Sequence, residues 1–322
     1  MELLAKTLAA IAPQDAAART AAKARLDQLI MPHWAMGRVL DLAMDLAGIT
    51  GTIKPPVARK AIITMAGDHG VVAEGVSVYP QEVTPQMVHG FVAGGAGINA
   101  LARLAGARVV VVDMDIAGDL SALVEAGIEV VEQLADEVDV FGTGDMGIGN
   151  TTPSTAILAA LTGMPVAEVT GRGTGIDDKQ FLHKVQVVLK ALKVNAPDPT
   201  DGLDVLAKVG GFEIGGIAGV VLAAAARRKP VVVDGFISTA GAMIAHALCP
   251  ASAQYIVAAH RSVEAGHRAM ARHLGKEPLL DLSMRLGEGT GAALAMNIVE
   301  AAARVLTEVA TFEEASVSKA HG

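Results

Sequence analysis

Residues 142–155 read GTGDMGIGNTTPST. A largely apolar run, VDVF at 138–141, comes just before and reads as a short buried strand. AILAAL at 156–161 comes just after and reads as a helix opened by Thr151, Thr152 and Ser154. The order is strand, glycine loop, hydroxyl-rich helix start. Gly142, Gly144, Gly147 and Gly149 let the backbone turn sharply and come close to a ligand. The unpaired N–H groups and the dipole of the following helix favour an anion there, most often phosphate. An ordinary glycine-rich turn with a hydroxyl cap has the same spelling, so the rest of the chain has to decide.

Working outward, residues 60–65 (KAIITM) and 108–113 (RVVVVD) read as strands on one side, and 230–234 (PVVVD) and 254–258 (QYIVA) on the other. Helical patterns occupy 86–105, with a glycine-rich middle at Gly94, Gly95 and Gly97, and then 180–194, 216–226, 238–248 and 289–310. Strands alternating with helices predict βαβ units and a parallel sheet. In such sheets ligands sit beyond the carboxyl ends of the strands. The second strand ends in the acids Asp113 and Asp115. Residues 1–50 contain no strand: helical spacing at 16–29 breaks at Pro32, resumes at 34–46 and stops at Gly48 and Gly51. That predicts a helical appendage or a dimer element, joined by the rigid Lys54-Pro55-Pro56. The polar tail, 313–322, is expected to fray.

Composition narrows the function classes. With 322 residues, 52% of them hydrophobic but only 3% aromatic, the chain has the Ala/Val/Gly/Leu/Ile usage of a close-packed α/β protein. A formal net charge of −8 argues against a nucleic-acid partner. The single cysteine, Cys249, rules out an internal disulfide, reads as a buried small hydrophobe and suits a cytoplasmic protein. The start, MELLAKTLAA, carries Glu2 and lacks a basic secretory leader, and no uncharged apolar run is long enough to span a bilayer.

Six further stretches carry chemistry-bearing residues. GDHGVVAEGVSVYPQEVT at 67–84 offers Asp68 and His69 as a metal pair, an acid–base dyad or plain loop-ordering groups. TGRGTGIDD at 170–178 places Arg172 among glycines, with Asp177 and Asp178 capping the next helix and Lys184 facing its start. A Lys or Arg beside a glycine loop is what a phosphomonoester needs. VGGFEIGGI at 209–217 holds a buried-looking Glu213, and VDGFISTAGA at 233–242 follows a strand with Asp234, Ser238 and Thr239. AHRSVEAGH at 259–267 brings His260, Arg261 and His267, but no third ligand at a metal-binding spacing. LLDLSMRLGEGTGA at 279–292 sets Glu288 between two glycines at a helix start, as a cap or as a base held toward a ligand. With no metal motif and no nucleophilic cysteine, Asp145 and Glu288 are the acid–base candidates.

Taken in order, these motifs resemble the nicotinate-nucleotide–dimethylbenzimidazole phosphoribosyltransferase family across roughly residues 25–310. The resemblance implies an α/β fold: a Rossmann-like parallel sheet with helices on both faces, spanning 51–294. It adds a small helical domain built from 1–50 and 295–322, and a homodimer. It implies transfer of the phosphoribosyl group of nicotinate mononucleotide to 5,6-dimethylbenzimidazole or a related base, with no cofactor and no metal. Glu288 matches the family's general base. Gly147, Gly149, Asn150, Thr151 and Thr152 match its nucleotide loop. Gly173, Thr174, Gly175 and Lys184 match the phosphate and ribose side, and Tyr79, Gln86 and Met87 fall where the family lines the base pocket. The family usually has Glu where this chain has Asp145, so that carboxylate reaches one methylene less. Two other readings fit single loops: a non-catalytic nucleotide-binding partner subunit, and an NAD-type dehydrogenase. Against the latter, GTGDMG continues into Asn150-Thr151-Thr152 rather than the dinucleotide fingerprint.

Overall fold

The structure, a computed structural model, describes residues 2–114 and 120–318. Asp115 and the end of the polar tail, 319–322, lie outside the described residues. The Val/Ile runs form five strands: β1 (Lys60–Ala66), β2 (Ala107–Asp113), β3 (Val140–Met146), β4 (Val231–Val233) and β5 (Ile256–Ala258). They pair in parallel in the order 2-1-3-4-5. Before β1 come α1 (Glu2–Ala10), α2 (Ala16–Leu26) and α3 (Arg38–Thr50). Between β1 and β2 lie α4 (Val83–Val92) and α5 (Gly97–Ala105), and between β2 and β3 lies α6 (Leu120–Leu134). From β3 to β4 the chain forms α7 (Thr151–Thr162), α8 (Val166–Val169), α9 (Asp178–Asn195), α10 (Gly202–Val209) and α11 (Phe212–Ala226). Then α12 (Phe236–Leu248) precedes β5, and α13 (His267–His273) and α14 (Thr290–Glu308) follow it.

Both faces of the sheet are covered, and strand alternation assigns the sides. Ala61, Ile63, Met65, Phe141, Val231, Val233 and Ile256 join one core with α6, α7, α11 and α12. Ile62, Val140, Val232 and Val257 join the opposite core with α2, α3, α5 and α14. The first helix sides with the former: Leu4 is buried there, and its N–H donates to Glu125 Oε1 at 2.9 Å. The second strand, β2, is an edge strand with none of its residues fully buried.

Two local expectations are corrected. The glycine loop expected from 142 begins only at 147, because β3 runs on through Gly142-Thr143-Gly144-Asp145-Met146. These strand glycines serve close packing rather than turning. A Cβ on Gly144 would stand 2.3 Å from the carbonyl oxygen of Glu288, so only glycine lets the 287–289 turn lie on the strand. The single helix expected over 86–105 is two, α4 and α5, parted at Gly94 (φ +79°) and Gly95. The tail is also less loose than its polarity suggests: Arg25 pairs with Glu314 at 3.1 Å.

The strand order reverses direction between β1 and β3, and the crevice beyond their carboxyl ends is where ligands bind in such sheets. Among the described residues no helix is long and apolar enough to cross a membrane.

Candidate active site

The carboxyl ends of β1 and β3 face the turn that opens α14. Gly287, Glu288 and Gly289 have φ of +84°, +64° and +97°. A left-handed glutamate is strained and persists only where its surroundings hold it. Here three hydrogen bonds do so. The Glu288 N–H donates to the Asp145 carbonyl at 3.2 Å, Thr64 Oγ1 donates to the Glu288 carbonyl at 3.0 Å, and the Gly289 N–H donates to Asp234 Oδ2 at 3.0 Å. The other oxygen of Asp234 accepts from the Ala292 N–H at 3.0 Å, so this carboxylate from the end of β4 caps α14. Burial nevertheless pushes the Asp234 carboxyl up to about 7.

The Glu288 carboxylate is 5% exposed and accepts the Ile98 N–H at 3.1 Å, in the first turn of α5. Burial raises its pKa, while that N–H holds the rise in check. Beside it, Asp145 is buried, with Oδ2 accepting from Asn150 Nδ2 at 3.3 Å and Oδ1 lacking a partner among the described residues. Burial first, and then the charges of Asp234, Glu213 and Glu288, push Asp145 well above the usual carboxylate range. One rim therefore carries two carboxyl groups whose environments differ: Asp145 is pushed up by burial and three neighbouring carboxylates, Glu288 by burial alone against the Ile98 N–H.

A cationic cradle lies across the head of α7. Lys184, on α9, is fully buried and donates from Nζ to Thr151 Oγ1 at 2.7 Å. Burial pulls its pKa down to about 8, against the opposing charge of Glu264. A Cβ on Gly173 (φ +52°) would meet Thr151 Oγ1 at 2.8 Å and Lys184 Nζ at 3.4 Å, so the second glycine loop closes directly over this pair. Arg285 donates to the Gly173 carbonyl at 3.3 Å, tying the same loop to the stretch that carries Glu288. Thr174 Oγ1 accepts the Val78 N–H at 3.3 Å, which brings the 67–84 loop to the cradle, and Gly175 turns with φ +103°. Arg172 is taken up by its own loop instead. It donates to the Ile176 carbonyl at 2.9 Å and pairs with Asp178 at 2.5 Å.

Gly147, Gly149, Asn150, Thr151 and Thr152 form the turn and first residues of α7, and the Thr152 hydroxyl has no partner among the described residues. The Ile148 N–H donates to Thr84 Oγ1 at 3.1 Å, which fastens α4 to this turn. Gln86 is exposed and Met87 half-buried on α4, while Tyr79 stands 53% exposed on the loop before it. Asp68 is exposed, but His69 is buried and donates to Glu213 Oε1 at 2.8 Å. Burial alone would lower His69, yet Glu213 outweighs it and the pKa is raised. This pair orders the first loop against α11. His267 accepts the Ser262 N–H on Nδ1 at 3.0 Å and donates from Nε2 to Thr239 Oγ1 at 3.0 Å, and burial pulls it down to about 4. His260 stacks beside it with ring centroids 6.3 Å apart. Among the described residues no group of three or more His, Cys, Asp or Glu could hold a metal ion.

Residues 11–123 and 117–317 match the phosphoribosyltransferase family DBI_PRT. A nicotinate-nucleotide–dimethylbenzimidazole phosphoribosyltransferase from Syntrophotalea carbinolica is 58% identical, with 99% of each chain covered. That from Desulfotalea psychrophila is 53% identical over the same share. The chain belongs to this family. A crystal structure of CobT from Thermus thermophilus superposes with a TM-score of 0.90 at 41% identity, covering 94% of this chain and all of that one. Within this phosphoribosyltransferase fold, sequence reasoning passed over Glu264. It is buried against Gly171 and near Lys184, with Oε2 unpartnered among the described residues. The only signal was an acid between small residues in AHRSVEAGH.

Proposed function

We propose that the chain transfers the phosphoribosyl group of nicotinate mononucleotide to 5,6-dimethylbenzimidazole or a related base. The products are α-ribazole 5′-phosphate and nicotinate. The observation that carries this reading is the placement of a buried base, Glu288, and a lysine cradle, Lys184 with Thr151 and Gly173, on one rim of the sheet. The full-length likeness to enzymes of that name supplies the substrates. In the proposed step Glu288 takes the benzimidazole N–H proton while the other ring nitrogen attacks C1′ of the ribose. The C1′–N bond to the pyridinium breaks and its electron pair leaves with nicotinate, inverting C1′. Asp145, whose carboxyl is pushed up by burial and by its acidic neighbours, donates a hydrogen bond near the reacting ring when it carries its proton. Lys184, the α7 N-terminus and residues 173–175 hold the phosphate. Asn150 orients Asp145, and Tyr79, Gln86 and Met87 line the acceptor side. Incubating the protein with both substrates should release nicotinate and form the α-riboside. No nicotinate release with dimethylbenzimidazole, benzimidazole, adenine or p-cresol would remove the reading.

The protein works as a cytoplasmic homodimer in this proposal. A free single cysteine suits that compartment. The dimer contact is the open β2 edge, where Val92 and Leu104 stand 77% and 69% exposed beside a groove of about 460 Å³. Sedimentation should give twice the 32.8 kDa chain mass, and a monomer at micromolar concentration would overturn it. The small helical unit proposed for 1–50 and 295–322 then consists chiefly of α2, α3 and the far half of α14, which share one core.

A further inference from the structure

A second cavity, of about 430 Å³, opens between α13, residues 276–281 and the start of α3. Its size is that of a small-ligand pocket. Its walls bring together Arg38, Arg261, Arg268, Arg272 and Lys276, against only Glu277 and Asp281. Both carboxylates are already engaged: Arg38 pairs with Glu277 at 3.4 Å, and Arg261 pairs with Asp281. The side chains of Arg268 and Arg272 make no ion pair or hydrogen bond among the described residues. They stand one turn apart on α13, a spacing at which like charges repel, and Lys276 follows them half-buried. Two arginines are thus left without a carboxylate partner in a half-open cavity, beside a lysine that Asp45 partly offsets, on a chain whose formal net charge is −8.

We propose that this pocket binds a compact polyanion, a small molecule carrying two or more phosphate groups. Arginine forks grip phosphate oxygens two at a time, which suits Arg268 and Arg272. The walls concentrate positive potential on a chain that is acidic as a whole, so a small anion is drawn in while an extended nucleic acid is disfavoured. The floor is His267, neutral and fixed by Ser262 and Thr239. No lining residue belongs to the Glu288 rim or the Lys184 cradle, so the site is separate from the proposed transferase chemistry.

The test is calorimetric titration of the full chain with inorganic pyrophosphate and tripolyphosphate at physiological salt. Binding should survive Lys184→Met, which disables the nucleotide cradle, and should weaken at least about tenfold in Arg268→Ala/Arg272→Ala. Arg268→Lys/Arg272→Lys, which keeps the charge but loses the forks, should fall between the parent and the alanine variant, and Lys6→Ala, on the remote α1, should keep all of the binding. Both arginines are exposed, so the melting temperature of the alanine variant should stay that of the parent; Arg272→Gln alone reads the same loss if it does not. No binding to the parent at millimolar pyrophosphate overturns the proposal. So does binding that is lost in Lys184→Met and kept in the arginine variants.

Discussion

Glu288→Gln is expected to lower kcat by about 10²–10⁴-fold while nicotinate mononucleotide still binds, because an amide keeps the shape of the carboxylate but cannot accept the acceptor's proton. The Ile98 N–H that now meets Oε2 can still donate to the amide oxygen, so the turn on β3 should keep its place. The pH profile provides the second readout. Burial raises the Glu288 pKa, so the base is protonated and idle at low pH. The acid limb of kcat/KM should therefore lie above the ordinary carboxylate range near pH 4. Asp145 and Asp234 are also pushed up, the latter to about 7, so the limb belongs to the cluster rather than to one residue. The limb should shift in the residual rate of the variant, which keeps Asp145 and Asp234 but has lost Glu288. Equal rates for parent and variant would take Glu288 out of the reaction.

Lys184→Met is expected to raise KM for nicotinate mononucleotide by about 10–100-fold, the range of one lost charge-assisted hydrogen bond in a buried site. Methionine fills the same fully buried space without the charge. The pKa of about 8 makes a sharper test. Below it Lys184 is an ammonium that grips phosphate; above it the amine is neutral. The parent's KM should therefore climb about fivefold between pH 8 and pH 9, and the variant's should not. Stability runs the other way. The folded state binds fewer protons here than the unfolded chain between about pH 8 and 10.5, so burying this cation opposes folding, most of all below pH 8. Removing it should leave the melting temperature unchanged or higher. A fall of several degrees would mean that the lysine serves the fold and not the ligand.

The sheet was readable because its strands are runs of Val and Ile bounded by breakers, and all five predicted strands form. Long-range packing was not readable. The pattern GTGDM reads as a loop until α14 is seen lying across it, since Gly144 answers to a backbone 144 residues further on and Gly142 to the side chains of Met296 and Ala292. The break at Gly94 and Gly95 was spelled in the sequence but hidden by helical spacing on either side. Within the site, Glu288 and Thr151 stood out because glycines or hydroxyls flank them, and Lys184 because it faces the start of a helix that follows a glycine loop. Glu213 and Asp234 stood out too, but not the groups they would pair with. Glu213 lies 144 residues from His69, and Asp234 caps a helix that starts 56 residues later. Such pairings depend on which strand ends become neighbours, which a linear pattern leaves open.

The last helix joins two distant parts of the molecule. Its first turn follows the glutamate directly and is held by Asp234. Its final turn is gripped by Arg25 of α2, which donates to the Leu306 carbonyl at 2.8 Å. Nineteen residues make a rod of about 28 Å. Tilting such a rod by about 2° about one end carries the other by about 1 Å, a misplacement that can cost a reaction about a hundredfold. The helix is thus a lever arm whose fulcrum lies among the amino-terminal helices. The aim of the base is set at the opposite end of the protein, by residues that never touch a substrate.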